Sequence, residues 1–65
     1  MRKEIIKYFV GKKVRLQRFA PGDVRPFNLY GVILSIGEDA VVFRTDRIGA
    51  IPIDQIVGIE EVGGA

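Results

Sequence analysis

Residues 2–10, RKEIIKYFV, place Ile5, Ile6, Phe9 and Val10 at i, i+1, i+4 and i+5. That spacing draws one apolar stripe along a helix, with Arg2, Lys3 and Lys7 on the other side. Gly11 follows, well placed to end the helix in a left-handed cap. The period then changes. Residues 12–19, KKVRLQRF, alternate: Val14 and Leu16 point one way, Lys13, Arg15 and Gln17 the other. A period of two predicts a half-buried strand with a basic outer face.

Residues 20–28, APGDVRPFN, read as a long connection. Pro21, Gly22 and Asp23 are a turn signal, and Pro26 lacks the N–H that a central strand needs. The connection carries Val24, Arg25 and Phe27, unusual cargo for a turn. Residues 29–36, LYGVILSI, form a nearly continuous apolar strand. Gly31 interrupts it, as at a sharp bend or a close backbone approach. Gly37, Glu38 and Asp39 make a tight turn into residues 40–45, AVVFRT. The apolar density of these two strands predicts cover on both faces. Asp46 and Arg47 turn the chain into a short strand at 48–51. Residues 52–55, PIDQ, read as one helical turn. Residues 56–62, IVGIEEV, form the last strand, and 63–65 a frayed tail. One helix and five short strands, with Gly at bend points, predict a single all-β domain over residues 1–65, a small and strongly bent barrel with an N-terminal α-helix.

Composition sharpens the picture. The 65 residues include no Cys and no His, while 48% are hydrophobic. A chain of this size buries only about 60% of its unfolded surface. Small domains usually add a disulfide, a metal or a partner subunit. Here a disulfide is excluded, and the carboxylates are not spaced as a calcium loop. That leaves self-association or an unusually compact core; the hydrophobic excess reads as subunit interface, and no metal and no cofactor are expected. No run of apolar residues approaches the ~20 that a membrane span needs. The expected location is cytoplasmic, with no membrane partner.

The net charge is only +2. Its distribution is uneven. Residues 1–30 hold eight Lys/Arg against Glu4 and Asp23, and residues 31–65 hold Arg44 and Arg47 against six carboxylates. One reading is a basic face that meets phosphate. The other is a set of surface lysines and arginines that keep edge strands soluble.

Enzyme chemistry finds little to work with. The commonest general base and the strongest nucleophile are both missing. The adjacent pairs Glu38/Asp39 and Glu60/Glu61 do not converge on one substrate, because neighbours on a strand face opposite ways. Nucleic-acid chemistry has more. Arg15, Arg18, Phe19, Arg25, Phe27 and Tyr30 interleave cations with aromatic rings, the pairing that single strands need. The competing reading has the rings packing over the barrel end. Lys3 and Lys7 on the helix, and Arg44 and Arg47 beside a turn, are further candidate cations.

Two segments carry a resemblance. Residues 30–45, YGVILSIGEDAVVFRT, combine Gly31, an apolar Ile33, a tight turn and an alternating strand with Val41 and Phe43. Residues 49–59, GAIPIDQIVGI, run from a short strand through one tight turn into a strand beginning with Ile56. They resemble the two motifs of the Sm-like family, which includes the Sm and LSm proteins and bacterial Hfq. The resemblance covers about residues 3–62 and implies rings of six or seven subunits. In such rings the fourth strand of one subunit pairs with the fifth of the next, here 48–51 with 56–62.

The resemblance also implies RNA as a partner. Hfq-type rings hold uridine-rich RNA at two pore-side turns, which map onto Gly37, Glu38 and Asp39 and onto Ile53 and Asp54. The chain departs from the pattern there. It has Glu38, Asp39, Ile53 and Asp54 where those rings carry a polar amide, an aromatic, a Lys and a His, and the Asn of Sm-type uridine pockets is missing. Two other readings remain beside a ring-forming RNA-binding protein. One is an oligomeric protein-interaction module without nucleic acid. The other is a monomeric DNA-binding barrel of the SH3-like kind.

Overall fold

The computed structural model describes residues 1–63; Gly64 and Ala65 of the expected tail lie outside the described residues. The elements are α1 (Lys3–Ile6), η1 (Lys7–Phe9), β1 (Lys13–Arg18), β2 (Phe27–Ile36), β3 (Ala40–Arg44), β4 (Ile48–Pro52), η2 (Ile53–Gln55) and β5 (Ile56–Glu61). The five strands make one antiparallel sheet in the order β4-β3-β2-β1-β5.

That order and the shortest connection together dictate curvature. Four strand spacings would hold β4 and β5 about 19 Å apart in a flat sheet. Only η2 joins them, and a 3₁₀ turn rises about 2 Å per residue. The sheet must roll until its two edges converge at that end. One core results: Val14 and Leu16 of β1, Ile33 of β2, Val41 and Phe43 of β3, Ile51 of β4 and Ile56 of β5, closed by Ile6 of α1.

Two local devices permit the roll. At Gly31 a Cβ would stand 2.9 Å from the Arg44 carbonyl carbon and nearer still to its oxygen, so only glycine lets β2 approach β3 there. Bulges interrupt the register between Ile33 and Ser35 on β2, and between Gln17 and Arg18 against β5. Each adds bend where the ladder would otherwise run straight.

Three expectations need correction. The helix does not run over 2–10. It tightens to 3₁₀ after Ile6, and Val10 leaves it to form a parallel bridge with Ile33. The cause is Gly11, whose φ is +84° and whose N–H donates to the Ile33 carbonyl at 2.7 Å. Of the apolar stripe only Ile6 is buried in full. The connection at 20–28 ends at Pro26: Phe27 and Asn28 belong to β2, opposite Arg18 and Gln17. Pro26 stops the ladder rather than preceding a longer loop. Finally, β2 and β3 are covered on one face only. Val41 and Phe43 are buried on β3 and Ile33 on β2, while Tyr30 is 58% exposed. The rolled sheet encloses one core, and nothing in the described chain covers its outer side.

Candidate nucleic-acid interface

The outer face is built by register. Alternation turns Val14 and Leu16 inward, so Lys13, Arg15 and Gln17 face out. Across the β1–β2 ladder, Lys13 stands opposite Val32, Arg15 opposite Tyr30 and Gln17 opposite Asn28. Across β2–β3, Val32 stands opposite Arg44. Val32 therefore sits between Lys13 and Arg44 at the centre of a three-strand surface, and Tyr30, two residues along the same face, stands opposite Arg15, with the amides of Gln17 and Asn28 beyond. A half-exposed ring beside cations has the chemistry to stack a base and neutralise a phosphate.

The cations are not equivalent. Arg15 meets Glu60 at 2.9 Å, directly across the β1–β5 ladder. Lys13 and Arg44 have no ion-pair partner among the described residues. Lys13 was not singled out by the sequence; its signal was the alternation that also placed Arg15.

Arg18, Phe27 and Arg47 form a second group. The Arg18 guanidinium stacks 5.7 Å from the Phe27 ring centroid, and its Nη2 donates to Gln55 Oε1. Arg18 and Arg47 line a hollow of about 310 Å³ whose apolar floor includes Leu29, Phe43 and Ile51. Phe27, 41% exposed, is thus a support for Arg18 more than a free platform. Phe19 is half-buried, and its N–H donates to the Gln55 carbonyl at 2.9 Å. Of the candidate residues in the connection, Arg25 stands alone on an exposed stretch. Lys3 and Lys7 sit on α1 and η1, apart from the Tyr30 face by sequence and by element. So the structure gathers Arg15, Tyr30 and Arg44 in one place and Arg18, Phe27 and Arg47 in another. It leaves Phe19, Arg25, Lys3 and Lys7 outside both.

The two turns come together. Glu38, Asp39, Pro52, Ile53 and Asp54 line one hollow of about 550 Å³ with Met1. Ile53 N–H donates to the Asp39 carbonyl at 2.8 Å, which locks the turns side by side. Their three carboxylates make this end of the molecule acidic, the opposite of what phosphate requires. Among the described residues no group of three or more carboxylates is arranged to hold a metal ion, and no helix is long and apolar enough to cross a membrane.

Comparison with family models, with curated proteins and with solved structures finds no match.

Proposed function

We propose that this chain is a ring-forming, Sm-like RNA-binding protein without enzymatic activity, acting in the cytoplasm. The observation that carries the reading is Tyr30, exposed on an open sheet face opposite Arg15, with Lys13 and Arg44 flanking Val32 two residues along the same face. Stacking on one ring is worth about 1–3 kcal/mol per base and tolerates any base. One copy offers a single such platform, and repetition around a ring multiplies weak contacts through avidity.

The sheet edges supply the assembly part of the reading. Strands β4 and β5 end the sheet with no neighbour among the described residues. Both expose apolar side chains there, Ile48 at 66% and Val57 at 48%. Open apolar edges invite a further strand, and identical neighbours close them without new sequence.

The acidic hollow of Glu38, Asp39 and Asp54 favours a second reading, a protein-interaction ring with no nucleic acid. One experiment separates the two. Short single-stranded RNAs are titrated at low and high salt, while solution mass and the 260/280 absorbance ratio of the purified protein are recorded. Salt-dependent binding by a particle of several chains supports the RNA reading. A multimer that ignores RNA at low salt supports the second, and a lone 7.2 kDa chain removes the ring from both.

A further inference from the structure

Among the described residues, two arginines and no acid line the hollow beside β4. Its floor is apolar, and Gly49 leaves its β4 side open: a Cβ there would meet nothing within 4 Å. Arg18 is oriented by Gln55 and Phe27, yet its Nε is buried without a hydrogen-bond partner among the described residues. A half-buried, oriented guanidinium with an unused buried Nε–H is suited to a carboxylate, which accepts two such donors at once.

The open edges indicate where that carboxylate comes from. On β4, Gly49 and Ile51 share the core side, opposite Phe43 and Val41. On β5, Ile59 and Glu61 share the core side, opposite Leu16 and Val14. A second copy's β5 added antiparallel to β4 must keep its faces in phase, because a slip of one residue inverts them. Placing Ile59 of that copy opposite Ile51 puts its Glu61 opposite Gly49, over the hollow. Among the described residues of its own chain Glu61 pairs only with Lys12 at 3.7 Å, with both side chains about half exposed, a weak hold.

We infer that Glu61 of a neighbouring copy enters the Arg18–Arg47 hollow and fixes the register of edge-to-edge assembly. The inference rests on the assembly reading above and adds to it an ionic key. A sheet edge alone accepts several registers, and a buried charge pair rejects all but one. Gly49 is the opening through which the carboxylate passes.

The test uses sedimentation velocity on the full chain across a dilution series, with circular dichroism to verify folding. Glu61→Gln and Arg47→Gln should each weaken association roughly tenfold and flatten its salt dependence. Arg47→Glu and Glu61→Arg should each do worse alone, and the double swap should recover most of the loss, which damage to folding would not. Three results overturn the inference. If Glu61→Gln and Arg47→Gln assemble like the parent, assembly stands but the key is wrong. If Arg47→Gln loses RNA affinity with association unchanged, the hollow serves nucleic acid instead. If the parent is a lone chain at micromolar concentration, the assembly reading falls and takes the key with it.

Discussion

Replacing Gly31 with alanine adds one methyl group at the tightest point of the sheet. That methyl would stand 2.9 Å from the Arg44 carbonyl carbon, 3.2 Å from a Phe43 ring carbon and within collision distance of the Arg44 oxygen. Neither backbone atom can step aside as a side-chain tip would. β2 and β3 must therefore separate, and the adjoining pairs Val32–Arg44 and Ile33–Phe43 stretch with them. Two weakened ladder bonds at about 1 kcal/mol each, added to the cost of overpacking, give about 2–3 kcal/mol.

For 65 residues the unfolding entropy is about 140 cal/mol/K, so each kcal/mol moves Tm by about 7 °C. The expected loss is about 15–20 °C. Gly49→Ala is the control. It is the same chemical change at an exposed strand position where nothing lies within 4 Å. At dilutions where the chain stands alone it should leave Tm unchanged or raise it by a few degrees, since alanine narrows the unfolded ensemble. Both are read by thermal circular dichroism over a dilution series, which separates intrinsic stability from any coupling to self-association. A Gly31→Ala chain melting within about 3 °C of the parent would refute the close-approach account.

Other substitutions address the surface. Tyr30→Ala should weaken single-stranded RNA binding by about 5- to 150-fold in fluorescence anisotropy, from the loss of one stacked base, while its exposed position leaves Tm in place. Lys13→Ala combined with Arg44→Ala should reduce the slope of log affinity against log salt by about 1.4 per copy engaged, if both meet phosphate; an unchanged slope would remove them from the interface. Glu60→Gln should change stability by less than about 1 kcal/mol, because its pair with Arg15 is solvent-exposed, yet strengthen RNA binding by releasing that guanidinium. Leu16→Ala, at the centre of the core, should cost about 2–5 kcal/mol in chemical denaturation.

Local period carried much of this structure into the sequence. The alternation of Val14 and Leu16 placed β1 and its outward cations, because a strand's faces are set by neighbours one and two residues away. Gly31 marked a close approach, and residues 52–55 marked the η2 turn. What escaped was long-range. The apolar density of residues 29–36 reads the same whether its second face meets a layer of the same chain or stands open, so the cover was overestimated. Pro26 concealed that Phe27 and Asn28 pair with Arg18 and Gln17, since a proline signals where a ladder stops but not on which side of it the strand lies. Val10 fitted the helical stripe by spacing, and a tertiary bridge to Ile33 claimed it. The clustering of Lys13, Arg15, Tyr30 and Arg44 depends on register across three strands. The meeting of Asp39 with Ile53 depends on the β3–β4 register, which it continues one residue beyond Ala40–Pro52. Neither is visible one residue at a time.

The η2 turn has a geometric corollary. It holds the β4 and β5 edges of one chain at a set angle, and in the proposed assembly every chain added head to tail would repeat that angle. Head-to-tail addition has no built-in terminus: a series of equal rotations either returns to its origin or climbs into an open helix. Three residues, Ile53, Asp54 and Gln55, would then act as the protractor that sets how many copies complete a circuit. Lengthening them would change the tally, or yield filaments, with every strand still intact.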